Sequence, residues 1–576
     1  VSAAPQGDDQ SVSQGPSPLE ATMRTAIPFA LTAALLVSSG CAPDEQEATK
    51  LELLPAREQL IRLSMDLRGV HPSEEELRLF ETTEPAAMRL MYDTFAQEWI
   101  EDPRFIGRIK EIFNERYLVR TGDVYFDTSD IPELASIDDR RMADNIANEQ
   151  MMLLEYVVAN DLPYSTMVTA DYTMANAELA SYWNIEYPGD ADGGWVPATY
   201  DDGRPHAGML TMTTTWQRYP SMGGNANRHR ANAVSKLFLC DDYLSRPIVL
   251  NRAAVDALTI DPENAIAQNS GCQSCHSSLD PIAANFFGFF NYDAEDGIES
   301  TFYRPENEEE WRYYSGKEPG YYGRPTGNIG EFAEELAADS RFLDCAVQTV
   351  WEGLTQRELV DEDWPEVSKH AEVFDVTDMN VKAMVESIVT SPEYKALDTT
   401  DPQLVERIVG RKVVSPEQLS SLIEQVTGYT WFFDGRDALR NNSMGLPTLA
   451  GGIDSRFVTK RAFVPTVGSA YVQERLADAA SWYVAAHDLD PARTDEAKLL
   501  AYVTIEDTPE SNPEAFDNQI RQLYLAITGL PLAPEANEPT ELIETWKDLY
   551  SVEASPTSAW AGVISAVLRD PTVLFY

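Results

Sequence analysis

Leu60-Ile-Arg-Leu63-Ser-Met65-Asp-Leu67-Arg-Gly69-Val70-His71-Pro72 sets the fold class of this chain. Leu60, Leu63 and Leu67 recur at the spacing of one helix face. Gly69 then supplies a C-cap and Pro72 a stop. Ser73 and Glu76 form a capping-box pair that opens the next helix. The same grammar returns much later. Leu523-Tyr-Leu525-Ala-Ile527-Thr-Gly529-Leu530 with Pro531 echoes Leu63–Val70 with Pro72. Asp102-Pro103, Ser391-Pro392 and Asp570-Pro571 each follow an amphipathic run with a helix-start signal. Duplicated units and ordinary helix punctuation explain these echoes equally.

Working outward, helical spacing continues at Ile109, Ile112 and Phe113, at Met152, Leu153 and Tyr156, and at Val381, Met384 and Ile388. Residues 184–227 and 291–328 are rich in Gly, Pro, Asp, Asn and Tyr and read as long loops with at most short strands. The expected fold is mainly α: multi-helical domains around one distinct module, with long irregular loops. The expected divisions are an N-terminal helical domain at 55–183, that module at 184–300, a helical partner module at 301–400 and a C-terminal helical domain at 401–576.

The chain has 576 residues, with 94 Asp and Glu against 44 Lys and Arg, a formal charge of −50. A polyanion of this size is repelled by phosphate backbones and anionic lipid, so nucleic-acid binding is not expected. Only 11 of the basic residues are lysine; a large acid surplus with scarce lysine also suits a salty medium.

The front of the chain reads as an address. Residues 1–22 are polar and read as an upstream over-extension. Met23-Arg24, the apolar run Ala26–Val37 and Ser38-Ser39-Gly40-Cys41 then describe an export signal over 23–40. The apolar run is too short to span a bilayer, which takes about 20 residues. The small residues ending at Cys41 resemble a bacterial lipobox, in which the cysteine is lipidated and becomes the mature N-terminus. Ser38 stands where an aliphatic residue is usual, and an ordinary cleaved signal is the alternative. Residues 41–54, acidic at Asp44–Glu47, read as a tether. The expected location is exported and lipid-anchored to a bacterial membrane, periplasmic or at the cell surface.

The chemistry concentrates at Cys272-Gln-Ser-Cys275-His276, the C-x-x-C-H pattern of covalent haem c attachment. Two thiols one helical turn apart can each add to a haem vinyl group. The adjacent imidazole then faces the iron from the same side. Zinc would want a second ligand pair, which the sequence lacks. A thioredoxin-type pair would want a βαβ context. The expected roles are Cys272 and Cys275 as covalent anchors and His276 as proximal iron ligand. The aromatic run Phe286-Phe287-Gly288-Phe289-Phe290 follows, suited to excluding water from such a site. The sixth iron position is left open among Met222, Met209, Met212, His229 and His206; a methionine would suit an electron carrier and a vacant position an oxidoreductase. His71, His370 and His487 read as structural or solvated. Asn291–Gly297 and Asp190–Gly193 are weak fragments of calcium loops.

Cys272-x-x-Cys275-His276-x-x-Leu279-Asp280-Pro281-Ile282, with Phe287-Gly288-Phe289 and Asn291-Tyr292-Asp293, resembles an exported, cytochrome-like family of unknown function found in planctomycetes and myxobacteria. Upstream, His206–Thr211 and Arg228–Cys240 resemble its lead-in, and downstream Phe332–Leu336, Phe342–Cys345 and Trp351–Arg357 its helical partner. The resemblance implies a cofactor and an address, with no reaction attached. Cys240 and Cys345 remain once the lipid and haem cysteines are set aside, and in an oxidising compartment they are expected to pair.

The expected function is thus a cell-envelope lipoprotein with one haem c and electron transfer as its minimal activity. Two alternatives stay open: a haem-dependent oxidoreductase or peroxidase with an open sixth site, and a surface binding or assembly protein with a structural haem. The partner is an unidentified redox protein or substrate in the envelope, and the membrane is reached through lipid alone.

Overall fold

The first long helix, α1 (Ala56–Arg68), shows why this sequence folds as it does. Leu60, Leu63, Met65 and Leu67 are buried. Gly69 ends the helix in the left-handed region, φ 70°, and its N–H bonds back to the carbonyls of Ser64 and Met65. Helix α2 (Glu74–Glu81) opens on the reciprocal Ser73–Glu76 capping box. Helices α3 (Pro85–Ile100) and α4 (Pro103–Tyr117) follow, each with proline in its first turn. Asp102 caps α4 by accepting from the Arg104 N–H. Helix α1 packs on α2, α3 and α4, and α4 packs on α5 (Asp139–Ala159).

Further along lie α6 (Arg228–Leu239), α7 (Ser270–Ala284), α8 (Ile329–Ala337) and α9 (Ser340–Thr355). Then come α10 (Trp364–Val376), α11 (Val381–Val389) and α12 (Pro416–Thr427). The last group is α13 (Val467–Asp488), α14 (Pro513–Thr528), α15 (Glu538–Glu553) and α16 (Pro556–Leu568). Strands among the described residues are short and pair two by two, as Leu51–Leu53 does with Ala396–Thr399. The fold is mainly α.

The computed structural model describes residues 51–576 apart from 122–123, 125, 130, 191–192, 222, 248–255, 257–265, 267–268, 291–301 and 403. Cys41, the export segment 23–40, the stretch 1–22, most of the tether and Met222 therefore lie outside the described residues, as do Asn291–Asp293. The described residues belong to one compact unit. A single apolar core takes in Leu63, Phe113, Leu154, Trp216, Phe238, Phe286, Trp351, Leu476 and Trp560. It thus draws on each of the helices α1 to α16, while the short helices Ala177–Trp183 and Trp311–Tyr314 pack in two smaller clusters. Among the described residues no helix is long and apolar enough to cross a membrane.

The sequence echoes have a spatial counterpart. The left-handed end of α14 lies against the N-terminal half of α1: Arg57 donates from Nη1 to the Gly529 carbonyl at 3.0 Å. Gly529 takes φ 72°, which favours glycine, and an added Cβ would stand 2.8 Å from the terminal methyl of Ile61 and force it to shift. Asp102, Ser391 and Asp570 cap the helical turns that follow them.

The stretch 184–227 carries more local structure than its composition suggests. Besides the strand Val196–Ala198 it holds a 3₁₀ turn, Gly208–Thr211, and the short helix Thr213–Arg218. The reason is tertiary. Thr214 donates to the buried Glu149 at 3.0 Å and accepts from Gln150 Nε2 at 2.6 Å. Tyr200 donates to the same carboxylate at 2.6 Å. These polar anchors on α5 hold a segment whose own propensity is indifferent.

Candidate functional site

Helix α7 begins where Asn269 Oδ1 accepts the N–H groups of Gly271 (2.8 Å) and Cys272 (3.3 Å). The cap fixes Cys272 in the first turn, so Cys275 follows one turn on, along the same face. Both thiols are free and half-buried, and Cys275 packs against the main core. His276 comes next, its side chain 23% exposed.

His276 Nδ1 lies 2.9 Å from Asp280 Oδ1, one turn further along α7. A carboxylate only accepts, so Nδ1 carries the hydrogen and Nε2 keeps its lone pair. Asp280 is 4% exposed. It also accepts from Arg228 Nε at 2.7 Å, in the first turn of α6. Burial alone would raise the Asp280 pKa. Hydrogen bonds from His276 and Arg228, with the charge of Arg228, outweigh burial and hold it below the usual carboxylate range.

The other side of α7 faces inward. Leu279, Ile282 and Ala283 are buried, and Tyr243 OH stands 2.7 Å from Ser278 Oγ. Beyond its C-terminal end the rings of Phe286, Phe287, Phe289 and Phe290 are buried. Phe286 packs on Trp216 at 4.8 Å between centroids and on Phe332 at 5.6 Å. At Gly288 an added Cβ would stand 2.5 Å from the Tyr303 ring, which leaves room only for glycine.

The candidate sixth ligands sit differently from one another. Met209 and Met212 are fully buried in the main core, around the turn Gly208–Thr211. His206 and His229 are exposed. His229 Nδ1 donates to the Pro220 carbonyl at 2.8 Å, which leaves its Nε2 lone pair open. It is also the neighbour in sequence of Arg228, the residue that holds Asp280. Of the remaining histidines, His71 and His370 are buried, and His487 is ion-paired with Asp488 and Asp495.

Cys240 caps α6 in the left-handed conformation, and Cys345 lies on α9. The two are joined as a disulfide with Cα atoms 5.2 Å apart, across a separation of 105 residues. The bridge fastens α6, which carries Arg228, to α9.

Residues 60–185 match a family model described as PSD4: Protein of unknown function (DUF1592). The matched stretch runs from α1 through α5 and ends before the cysteine motif. No curated protein and no solved structure matches the chain. The motif's chemistry therefore rests on its own residues.

Those residues suit a haem c. Two free thiols lie one turn apart on a capped helix, beside an imidazole whose distal nitrogen is open and whose proximal nitrogen is held. Among the described residues no three or more His, Cys, Asp or Glu side chains gather as a metal-holding group. Sequence reasoning singled out Cys272, Cys275 and His276 but not the roles of Asp280 and Arg228. The i, i+4 spacing of His276 and Asp280 was the available signal for the first. The sequence places Arg228 only in the lead-in resemblance, and gives no sign of its contact with Asp280, because it arrives from another helix.

Proposed function

We propose that the chain is a cell-envelope lipoprotein, anchored at Cys41, that carries one haem c and has electron transfer as its minimal activity. Cys272 and Cys275 would hold the group covalently and His276 Nε2 would ligate the iron. Bound there, the haem supplies one-electron chemistry. The observation that carries the reading is the C-x-x-C-H sequence on a capped helix with the His276 ring held by Asp280, as proximal histidines usually are by a second group. Asp280 fixes the tautomer and the plane of the ring, and Arg228 fixes Asp280. A redox partner or substrate in the envelope would meet the partly exposed N-terminal turns of α7.

The carboxylate contact also favours a second reading, a haem-dependent oxidoreductase with an open sixth position. An acceptor with full negative charge makes the imidazole a stronger donor, which favours the oxidised metal. The test is the visible spectrum of protein exported from a host with cytochrome c maturation, oxidised and reduced, with and without carbon monoxide. A c-type spectrum unchanged by carbon monoxide supports the carrier. A shifted one supports the oxidoreductase. Colourless protein refutes both. Cys41→Ser should release the protein from the membrane fraction; retention there would refute the anchor.

A further inference from the structure

A groove unrelated to the cysteine motif runs between the matched segment and the C-terminal part of the chain. Its volume is about 470 Å³, within the range of small-molecule sites. Helices α4 and α5 form one wall, with Asn114 and Asn148. The stretch from Arg436 to Ile453 forms the other. In a chain with 94 acidic and 44 basic residues, Arg120, Arg140, Arg436 and Arg440 all line this one groove.

Most of that positive charge is already matched. Arg436 pairs with Asp144 at 2.7 Å, Arg440 with Asp437 at 3.2 Å, and Arg140 with Asp434. Arg120 differs. Its backbone N–H donates to Asn114 Oδ1 at 3.1 Å. Its guanidinium is half-buried and forms no direct ion pair or hydrogen bond among the described residues, acting on Glu111 and Asp144 only through longer-range charge. It lines both this groove and the smaller cavity that continues from it past Glu111 and Arg461. A second unsatisfied group shares the site: Asn442 Oδ1 is buried and has no hydrogen-bond partner among the described residues. Other buried side-chain polar atoms also lack a partner, but only Asn442 Oδ1 belongs to a residue lining this groove.

We propose that this groove binds a hydroxylated carboxylic acid of the sugar-acid class, its carboxylate on Arg120 and a hydroxyl donating to Asn442 Oδ1. An unpaired guanidinium asks for a planar anion, which it can hold through two parallel hydrogen bonds. An unpaired amide oxygen asks for a donor, which sulfate and chloride lack at neutral pH and a hydroxylated acid carries beside its carboxylate; hydrogen phosphate carries one too and is therefore the control. The paired arginines and carboxylates around them give a polar wall suited to further hydroxyls. The assignment does not depend on haem.

The test is calorimetric titration of the full chain with trigalacturonate, its methyl ester and inorganic phosphate. Binding of the acid and not of the ester is expected. Arg120→Gln, with an unchanged melting temperature, should weaken it roughly tenfold or more, the size of a lost charge-assisted hydrogen bond. Asn442→Ala should weaken it as well and serves if the first variant misfolds. No binding of the acid, equal binding of the ester, binding of phosphate alone, or full affinity in the folded variants would each overturn the proposal.

Discussion

In the proposed haem site, Asp280 would hold the ring of the proximal His276. Its carboxylate accepts from His276 Nδ1 at 2.9 Å and from Arg228 at 2.7 Å while almost fully buried. Asp280→Asn removes the negative charge behind the ring and makes the imidazole a weaker donor. The reduction potential of the loaded protein should rise, read by spectroelectrochemical titration, and Asp280→Glu should recover part of the shift. An unchanged potential in Asp280→Asn would show that the contact is structural only. A second residue-scale effect belongs to His370, 2% exposed and stacked on Trp351 at 5.6 Å. Burial pushes its pKa down to about 4, against the pull of Glu366 and with a smaller push from Lys369. The folded state therefore refuses a proton that the unfolded chain takes up below about pH 6.5. The native advantage is whole above that pH and is lost as the pH falls toward 4, up to about 3 kcal/mol. Denaturant unfolding at pH 7, 5.5 and 4.5 should show a shallower loss in His370→Gln than in the parent. Equal slopes would mean that this histidine does not contribute.

At the scale of elements, the join between α6 and α9 carries the argument. Cys240–Cys345 closes a loop of 105 residues that contains α7. In the chain-entropy model a loop of about that length contributes roughly 4–5 kcal/mol. The double variant Cys240→Ser with Cys345→Ser should lose that order of stability in denaturant unfolding, and added reductant should do the same to the parent. A loss under about 1 kcal/mol would show that packing alone holds the two helices. The same elements show what could be read in advance. The period of Leu60, Leu63 and Leu67, the cap at Gly69 and the Ser73–Glu76 box name α1 and α2 from local rules, and both helices are present. The leftover pair Cys240 and Cys345 could be named by elimination. The short helix Thr213–Arg218 could not, because Glu149 and Gln150 on a distant helix stabilise it. Arg228, Arg120 and Asn442 escaped for a related reason. What marks them is a partner brought from elsewhere, or a missing one, and neither is a property of local sequence.

Across the whole molecule the two ends of the described chain are tied through one buried polar cluster. Asp66 on α1 accepts from Tyr576 OH at 2.7 Å, from Tyr394 OH and from Lys412 Nζ. Lys412 is 1% exposed, and its backbone N–H donates to the Tyr576 carbonyl at 2.9 Å. Gln418 links Tyr576 OH to the Met65 carbonyl. This cluster explains why the main core takes in helices from both ends of the sequence. Burial already pushes the Lys412 pKa down to about 7 against the pull of Asp66, so Asp66→Ala would leave this buried amine without its carboxylate, at a cost of up to about 3–5 kcal/mol. Replacing both, Asp66→Ala with Lys412→Met, should recover part of that in denaturant unfolding. If the single change proved as mild as a surface substitution, the cluster would not be what holds the ends together.

Intact mass spectrometry of the denatured protein tests whether α7 holds a haem by two thioether bonds, as proposed. Protein exported from a host with cytochrome c maturation should be heavier than its Cys272→Ala, Cys275→Ala counterpart by one haem beyond the two lost sulphurs, with the added mass on the peptide spanning Cys272 to His276. Two proteins that differ only by the substituted atoms would contradict the claim.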